Sequence, residues 1–318
     1  NTKRKLMNIL KKNINFNLKR KQYLDEFVSD IHYLALKDLD ILNKCDLIGF
    51  HGQTIYHNPN DKISIQLGDP KKLAKMLNKN VIFDFRSNDL ALGGQGAPLA
   101  PIYHQFIIEN LNLKFPFCIL NIGGVANLTY WDGKTLIGFD TGPGNCLMDD
   151  FSYSVFYKNF DENGNFASQG TPIKKEVINF MQQDFFKKMP PKSLDRLEFI
   201  NSYNELTKKK YSVYNIMATL AEFTVESIMA SINLLPKKIE NILITGGGHR
   251  NVHLTNRLKD RLKINFINEK QLGVELDYVE AELIAYLSAR SIYKLPFTFP
   301  STTGVSKPSS GGNLYKFL

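Results

Sequence analysis

The stretch Asn121–Asp149, NIGGVANLTYWDGKTLIGFDTGPGNCLMD, constrains this chain more than any other. It reads as strand, Gly-Gly turn, second strand, two-residue Asp-Gly turn, third strand, and a Gly-Pro-Gly loop opening a helix. Ile119–Ile122 and Val125–Trp131 are β-branched and apolar enough for buried strands. Asp132-Gly133 is a short-range hairpin signal, and Gly123-Gly124 lets backbone approach a neighbour closely. Phe139-Asp140-Thr141-Gly142-Pro143-Gly144 then sets a carboxylate at a strand end before a glycine-rich loop. In α/β proteins chemistry gathers where strand carboxyl ends face a helix N-terminus. The plainer alternative is an ordinary Asp-Thr-Gly capping turn.

Further signals follow in order along the chain. Residues 1–44 are polar and helical in period, with Tyr23, Phe27, Ile31 and Leu34 expected on one buried face. Asp46–His51 reads as a short strand running into the polar loop His51-Gly52-Gln53-Thr54. His51 and His57 are candidates for ligating or proton-transfer roles, although a lone histidine is more often hydrogen-bonded structure. Ser64–Leu67 reads as a strand, and Asp69-Pro70 as the cap and first residue of a helix through Leu77. Val81–Phe85 is a third strand. It leads to Arg86, whose guanidinium can fork onto an acidic or hydroxylated ligand or form a surface ion pair.

Gly93–Gly96 forms a flexible loop before a helix at Ile102–Ile108. Residues 151–210 read as helical and polar, broken at Pro190-Pro191. A long helix is expected over Ser212–Leu235, chiefly as core. Glu240–Thr245 is a strand running into Gly246-Gly247-Gly248, a presentation of backbone N–H groups suited to a phosphate. It is neither GxxxxGK[ST] nor GxGxxG. Ile264–Ile267 is a strand, and Asp277–Tyr293 a helix whose early Glu280 and Glu282 suit the helix dipole.

Composition narrows the classes. The net charge of +9 fits attraction of an anionic ligand such as a nucleotide, or simply a lysine-rich surface, denser at Lys3–Lys5, Lys19–Lys21 and Lys208–Lys210. No basic patch interleaves with aromatics, so nucleic-acid binding is not expected. The three cysteines lack metal spacing and a CxxC pair, which points to reduced thiols in a cytoplasmic protein without a metal site. No apolar run approaches membrane-spanning length, so no membrane association is expected.

Taken together, GFHGQTIYH (Gly49–His57), IQLGD (Ile65–Asp69), DFRSNDLALGGQGAPLAP (Asp84–Pro101), LNIGGVANLTY (Leu120–Tyr130), FDTGPGNCLMD (Phe139–Asp149), ITGGGHRN (Ile244–Asn251), DYVEAELIAYL (Asp277–Leu287) and LPFTFPSTTGVSKPSSGG (Leu295–Gly312) resemble the anhydro-N-acetylmuramic acid kinases. The resemblance runs from about residue 45 to the end, in the family's order. It implies an α/β fold of the two-domain actin/hexokinase/Hsp70-like ATPase type with mixed central sheets. Domain I would be 1–95 plus 290–318, and domain II 96–289.

It also implies ATP with Mg2+ as donor, anhydro-N-acetylmuramic acid as acceptor, and a homodimer. Water would open the 1,6-anhydro bridge, and the freed O6 would take the γ-phosphate. Asp140 matches the family's base and Glu280 a family glutamate near sugar and water. Arg86 matches a sugar-contacting arginine, with His51, Gln53, Gly96 and Asn145 as further sugar-binding candidates. Nucleotide contacts are expected from Asn121, Gly123, Gly124, Asn127, Gly246, Gly247, Gly248 and Asn251. The family's opening strand, Met-Ser-Gly-Thr-Ser-x-Asp-Gly, appears nowhere in this sequence, so the expected domain I lacks its first strands and phosphate loop. Rival readings are another sugar kinase of this fold, or a non-catalytic sugar- or nucleotide-binding remnant.

Overall fold

The computed structural model describes residues 18–195, 198–268, 272, 275 and 278–317. The Lys3–Lys5 cluster, the first part of the expected N-terminal helix and Asp277 lie outside the described residues. The described strands are β1 Leu47–Phe50, β2 Gln53–Asn58, β3 Ile63–Leu67, β4 Asn80–Phe83, β5 Phe117–Ile122, β6 Val125–Trp131, β7 Leu136–Pro143, β8 Asn241–Thr245, β9 Asn265–Ile267 and β10 Asn313–Tyr315. The chain divides into two compact units. One takes in the chain up to Gly96, Ala281–Phe299 and the stretch from Val305 on. The other comprises Ala97–Glu280 and Pro300–Gly304.

In the first unit β4 is central, parallel to β1 and antiparallel to β10, so this sheet is mixed. The helices Leu18–Leu36 and Pro70–Leu77 cover it through Leu24, Val28, Leu73, Ala74 and Leu77. Pro70–Leu77 starts as its sequence dictates. Pro70 occupies the first turn, the Asp69 carboxylate accepts from the N–H groups of Lys71 and Lys72, and left-handed Asn78 closes the helix. Gly49 of β1 lies against Val279–Ile292, and a Cβ there would stand 2.4 Å from Ser288 Oγ. Only glycine allows that approach.

Two expectations are corrected in this unit. The buried stripe of Leu18–Leu36 carries Leu24 and Val28, while Tyr23 and Leu34 are 63% and 61% exposed. The polar bonds of the helix set its rotation. Ser29 Oγ donates to the Asp69 carbonyl and accepts from Asp69 N–H at 2.7 Å, and Asp25 accepts from Gly68 N–H. The apolar spacing places the stripe on Tyr23, Phe27, Ile31 and Leu34, and these bonds turn Leu24 and Val28 inward instead. The expected loop after His51 is also shorter, because Gln53 already opens β2, which pairs antiparallel with β3.

The second unit holds a five-stranded sheet in the order β7-β6-β5-β8-β9. β5, β6 and β7 run antiparallel to one another in sequence, and β8 and β9 continue parallel to β5. Its core is larger, and the helix Val213–Ile232 is buried along most of its length. The stretch 151–210 is broken into short helices rather than one polar run, and Phe180, Phe185 and Phe199 belong to the core. The β6–β7 connection spans four residues, not two. The Asp132 carboxylate accepts from Lys134 and Thr135 N–H and builds the turn with its own side chain. β7 runs past Asp140 to Pro143, so Asp140 lies within the strand rather than at its end.

Candidate functional site

Each unit gathers its own polar cluster at the carboxyl ends of parallel strands. In the first unit these are β1 and β4. Arg86 follows β4 and donates to His51 Nε2 from Nε at 3.1 Å and from Nη2 at 3.0 Å. Its Nη1 donates to the Gly96 carbonyl. His51 Nδ1 lies 3.0 Å from the Gly52 carbonyl, which makes Nδ1 the protonated nitrogen and Nε2 the acceptor. Burial first, and then the Arg86 charge, push His51 down to about 3. The same two causes push His57 down to about 4. Both rings are neutral at pH 7, and His51 serves to fix the Arg86 fork.

Arg86 is therefore not a surface ion pair. It is laced into the Gly93–Gly96 loop, and that loop is held from beneath by Asp89. The Asp89 carboxylate is buried and accepts from Gly96 N–H at 2.7 Å. His57 lies close by, its Cε1 3.3 Å from where a Gly96 side chain would begin, and its Nδ1 is 3.0 Å from Ser64 Oγ. Gln53 is half-buried and donates to the Thr54 carbonyl. The structure thus brings His51, Arg86 and Gly96 together. Asp89 escaped the sequence reading because an aspartate three residues after an arginine resembles an ordinary helix-start acid.

In the second unit the cluster lies at the ends of β5 and β8, whose Asn121 and Thr245 are register partners. Gly123-Gly124 is a two-residue turn between β5 and β6. The loop after β7 is laid on that turn: Asn145 N–H donates to the Gly123 carbonyl, and Gly144 and Cys146 N–H donate to that of Gly124. A Cβ on Gly144 would come 2.3 Å from the Gly123 carbonyl oxygen, which fixes glycine there. The Asn145 side chain donates to the Ile122 carbonyl at 3.1 Å.

The three glycines after β8 differ from one another. Gly246 has φ +73, and a Cβ on it would stand 2.3 Å from Asn121 Oδ1. A Cβ on Gly248 would stand 2.4 Å from Ile122 Cγ2. Both are glycine because the loop presses on the end of β5. A Cβ on Gly247 would meet nothing nearer than Asn145 Nδ2 at 3.9 Å, so its backbone faces open space. Asn251 caps the helix Val252–Leu262, its side-chain oxygen accepting from Leu254 N–H.

Asp140 stands on β7 opposite Asn127 of β6, beside a bulge that leaves Thr141 without a register partner. It is 6% exposed. Its N–H donates to the Lys192 carbonyl at 3.0 Å, and its Oδ2 accepts from Leu194 N–H at 2.8 Å. Asn127 Oδ1 is buried with no hydrogen-bond partner, an oxygen donor available one strand away from the carboxylate. Glu280 is exposed in the first turn of Val279–Ile292. Among the described residues no group of three or more His, Cys, Asp or Glu is placed to hold a metal ion. All three cysteines are free thiols, and no described helix is long and apolar enough to cross a membrane.

Comparison with known proteins places these features in a family. The family model described as anhydro-N-acetylmuramic acid kinase matches residues 4–317. A protein of that name from Rhodopseudomonas palustris is 44% identical over 271 residues, covering 85% of this chain and 73% of the relative. Another from Pelagibacter ubique is 40% identical over 284 residues, covering 85% and 74%. Among solved structures, a xylulose kinase from Lactobacillus acidophilus aligns at a TM-score of 0.37 and 14% identity, over 70% of this chain and 45% of that one, a likeness too weak to bear on the fold.

Proposed function

The chain belongs to the anhydro-N-acetylmuramic acid kinase family, and from that premise we propose that it opens the 1,6-anhydro ring of anhydro-N-acetylmuramic acid with water and phosphorylates O6 from ATP. Water adds to C1 and the C1–O6 bond breaks. O6 forms its new bond to the γ-phosphorus, ADP leaves, and the product is N-acetylmuramic acid 6-phosphate. The proton lost by water goes to Asp140. Such a step belongs to peptidoglycan recycling in the cytoplasm, and the working form is a homodimer. The ATPase-type fold of actin, hexokinase and Hsp70 is the architecture that goes with this reaction, and the mixed sheets of both units are in keeping with it.

The observation that carries the reading is the setting of Asp140. It is a carboxylate buried on a strand, its Oδ2 aimed by Leu194 N–H, which suits a fixed general base. Arg86, fixed by His51 and the Gly96 carbonyl, is a planar donor for sugar hydroxyls or the lactyl carboxylate. His51, Gln53, Gly96 and Asn145 complete the sugar contacts, and Glu280 acts near the sugar and water. Asn121, the Gly123-Gly124 turn, Asn127, Gly246–Gly248 and Asn251 form the nucleotide side. Mg2+ arrives with ATP as part of the donor substrate and is held largely by phosphate oxygens. The buried, unpartnered Asn127 Oδ1 is a hard oxygen donor on the protein side.

Asp140→Asn tests the base. Asparagine still accepts from Leu194 N–H, so the fold is kept. Turnover is expected to fall by about 10³ or more while ATP affinity, measured by calorimetry, stays within twofold. Near-normal turnover in a coupled ADP assay would remove Asp140 from that role.

A further inference from the structure

The stretch Ser310-Gly311-Gly312-Asn313 has no place in the reading so far, yet it lies on the turn that carries Arg86. That turn starts at Asp84, just past β4, with φ +58. This is the left-handed region, where only glycine sits without cost. Such a conformation persists when its surroundings hold it, and here both carboxylate oxygens are engaged. Oδ1 accepts from Ser87 Oγ at 2.6 Å and from Ser87 N–H at 3.3 Å. Oδ2 accepts from Asn313 Nδ2 at 3.1 Å. The Asp84 carbonyl accepts from Gly312 N–H at 3.3 Å. On the other side of Arg86, Asn88 Nδ2 donates to the Ser310 carbonyl at 2.6 Å. Between them, a Cβ on Gly311 would stand 3.1 Å from the Phe85 carbonyl oxygen.

We propose that Asp84 and Asn313 are positioning residues for Arg86, the pair tying the Arg86 turn to the segment 310–313 so that the guanidinium is held on aim. The pairing of β10 with β4 does not require this tie. That ladder joins Asn313–Tyr315 to Val81–Phe83 and stops there. The bonds from Ser310, Gly312 and the Asn313 side chain reach past it, to Asp84 and Asn88, and hold the turn rather than the sheet. Arg86 is thereby fixed at both ends. Its backbone is held by the 310–313 segment, and its guanidinium by His51 Nε2 and the Gly96 carbonyl. A planar fork is useful only when its direction is set, because a bidentate donor loses its bonds on rotation. Asp84 and Asn313 serve that aim through Arg86, with no sugar contact of their own. The role rests on reading Arg86 as a sugar contact.

The test uses the full chain and follows Arg86 itself. The Nε–H signal of Arg86, assigned by its loss in Arg86→Lys, is read by NMR. Affinities for anhydro-N-acetylmuramic acid and for ATP are read by calorimetry. Asn313→Asp sets a second carboxylate against Asp84 and breaks the tie. The Arg86 signal is expected to move upfield as its bond to His51 loosens. Sugar affinity is expected to fall about tenfold, with ATP affinity within about twofold. Adding Asp84→Asn restores the tie with donor and acceptor exchanged, while the new amide oxygen still accepts from Ser87. The signal is then expected to return to its parent position and sugar affinity to within about twofold. A segment that only stabilised the sheet would lower the denaturation midpoint and leave the Arg86 signal of the folded protein in place. An unchanged signal in folded Asn313→Asp, or no return in the double variant, overturns the proposal. Should Asn313→Asp fail to fold, Asn313→Ala is read by the same signal. Unchanged sugar affinity in Arg86→Lys would remove Arg86 from the sugar contacts, and the Arg86 signal alone then decides the positioning role.

Discussion

At the scale of single residues, Gly247 and its two neighbours separate fold from function. Gly246 and Gly248 press on Asn121 and Ile122, so larger residues there disturb the sheet. Gly247 has room, a Cβ on it meeting nothing nearer than Asn145 Nδ2 at 3.9 Å, and on the proposed reading the nucleotide lies in that space. Gly247→Val is therefore expected to fold normally and to weaken ATP by about tenfold or more, about 1.4 kcal/mol, in calorimetry. Unchanged affinity in the folded variant would move the nucleotide elsewhere. His104 makes a different prediction. It is buried against Thr129, and burial pushes it down to about 3. The unfolded chain takes up that proton near pH 6.5, so the unfolded state binds more protons between 6.5 and 3. The stabilisation from neutral His104 is complete above pH 6.5 and fades as the pH falls toward 3, by up to about 1.4 kcal/mol per pH unit. Denaturant titrations across that range should show a steeper loss in the parent than in His104→Gln.

At the scale of elements, the helix Pro101–Asn110 sits hard against β7. A Cβ on Gly138 would meet Pro101 Cγ at 2.2 Å. Gly138→Ala is expected to cost about 1–3 kcal/mol by overpacking, read as a lower denaturation midpoint at an unchanged slope. Elements whose cause is local were the legible ones. Asp69 and Pro70 announce their helix, and the apolar runs of β5, β6 and β8 announce their strands. What escaped depends on partners distant in sequence. Leu18–Leu36 is rotated by Ser29 and Asp25 meeting the Gly68-Asp69 turn. β10 is three residues in a turn-rich tail and exists only because β4 offers an edge. The site divides the same way. Glycine loops and Asp140 stand out as patterns, whereas Asp89 holds the Gly96 loop from a buried position, and burial is not written beside it.

At the scale of the whole molecule, the two units differ in how the chain supplies them. The second is drawn almost wholly from one continuous stretch, Ala97–Glu280, and contains a five-stranded sheet with its own core. The first is assembled from three separated stretches, and the far edge of its sheet is β10. Asn313 in that strand bonds Asp84 across 229 positions of sequence. On a ribosome this interval is a waiting time. At roughly 5–20 residues per second, β4 emerges about ten to fifty seconds before the strand that closes its edge. During that interval the continuous unit can finish folding, while β4 keeps an open edge of the kind to which foreign strands attach. The late pairing of Asn313–Tyr315 makes a strand synthesised long after β4 the guard of its edge.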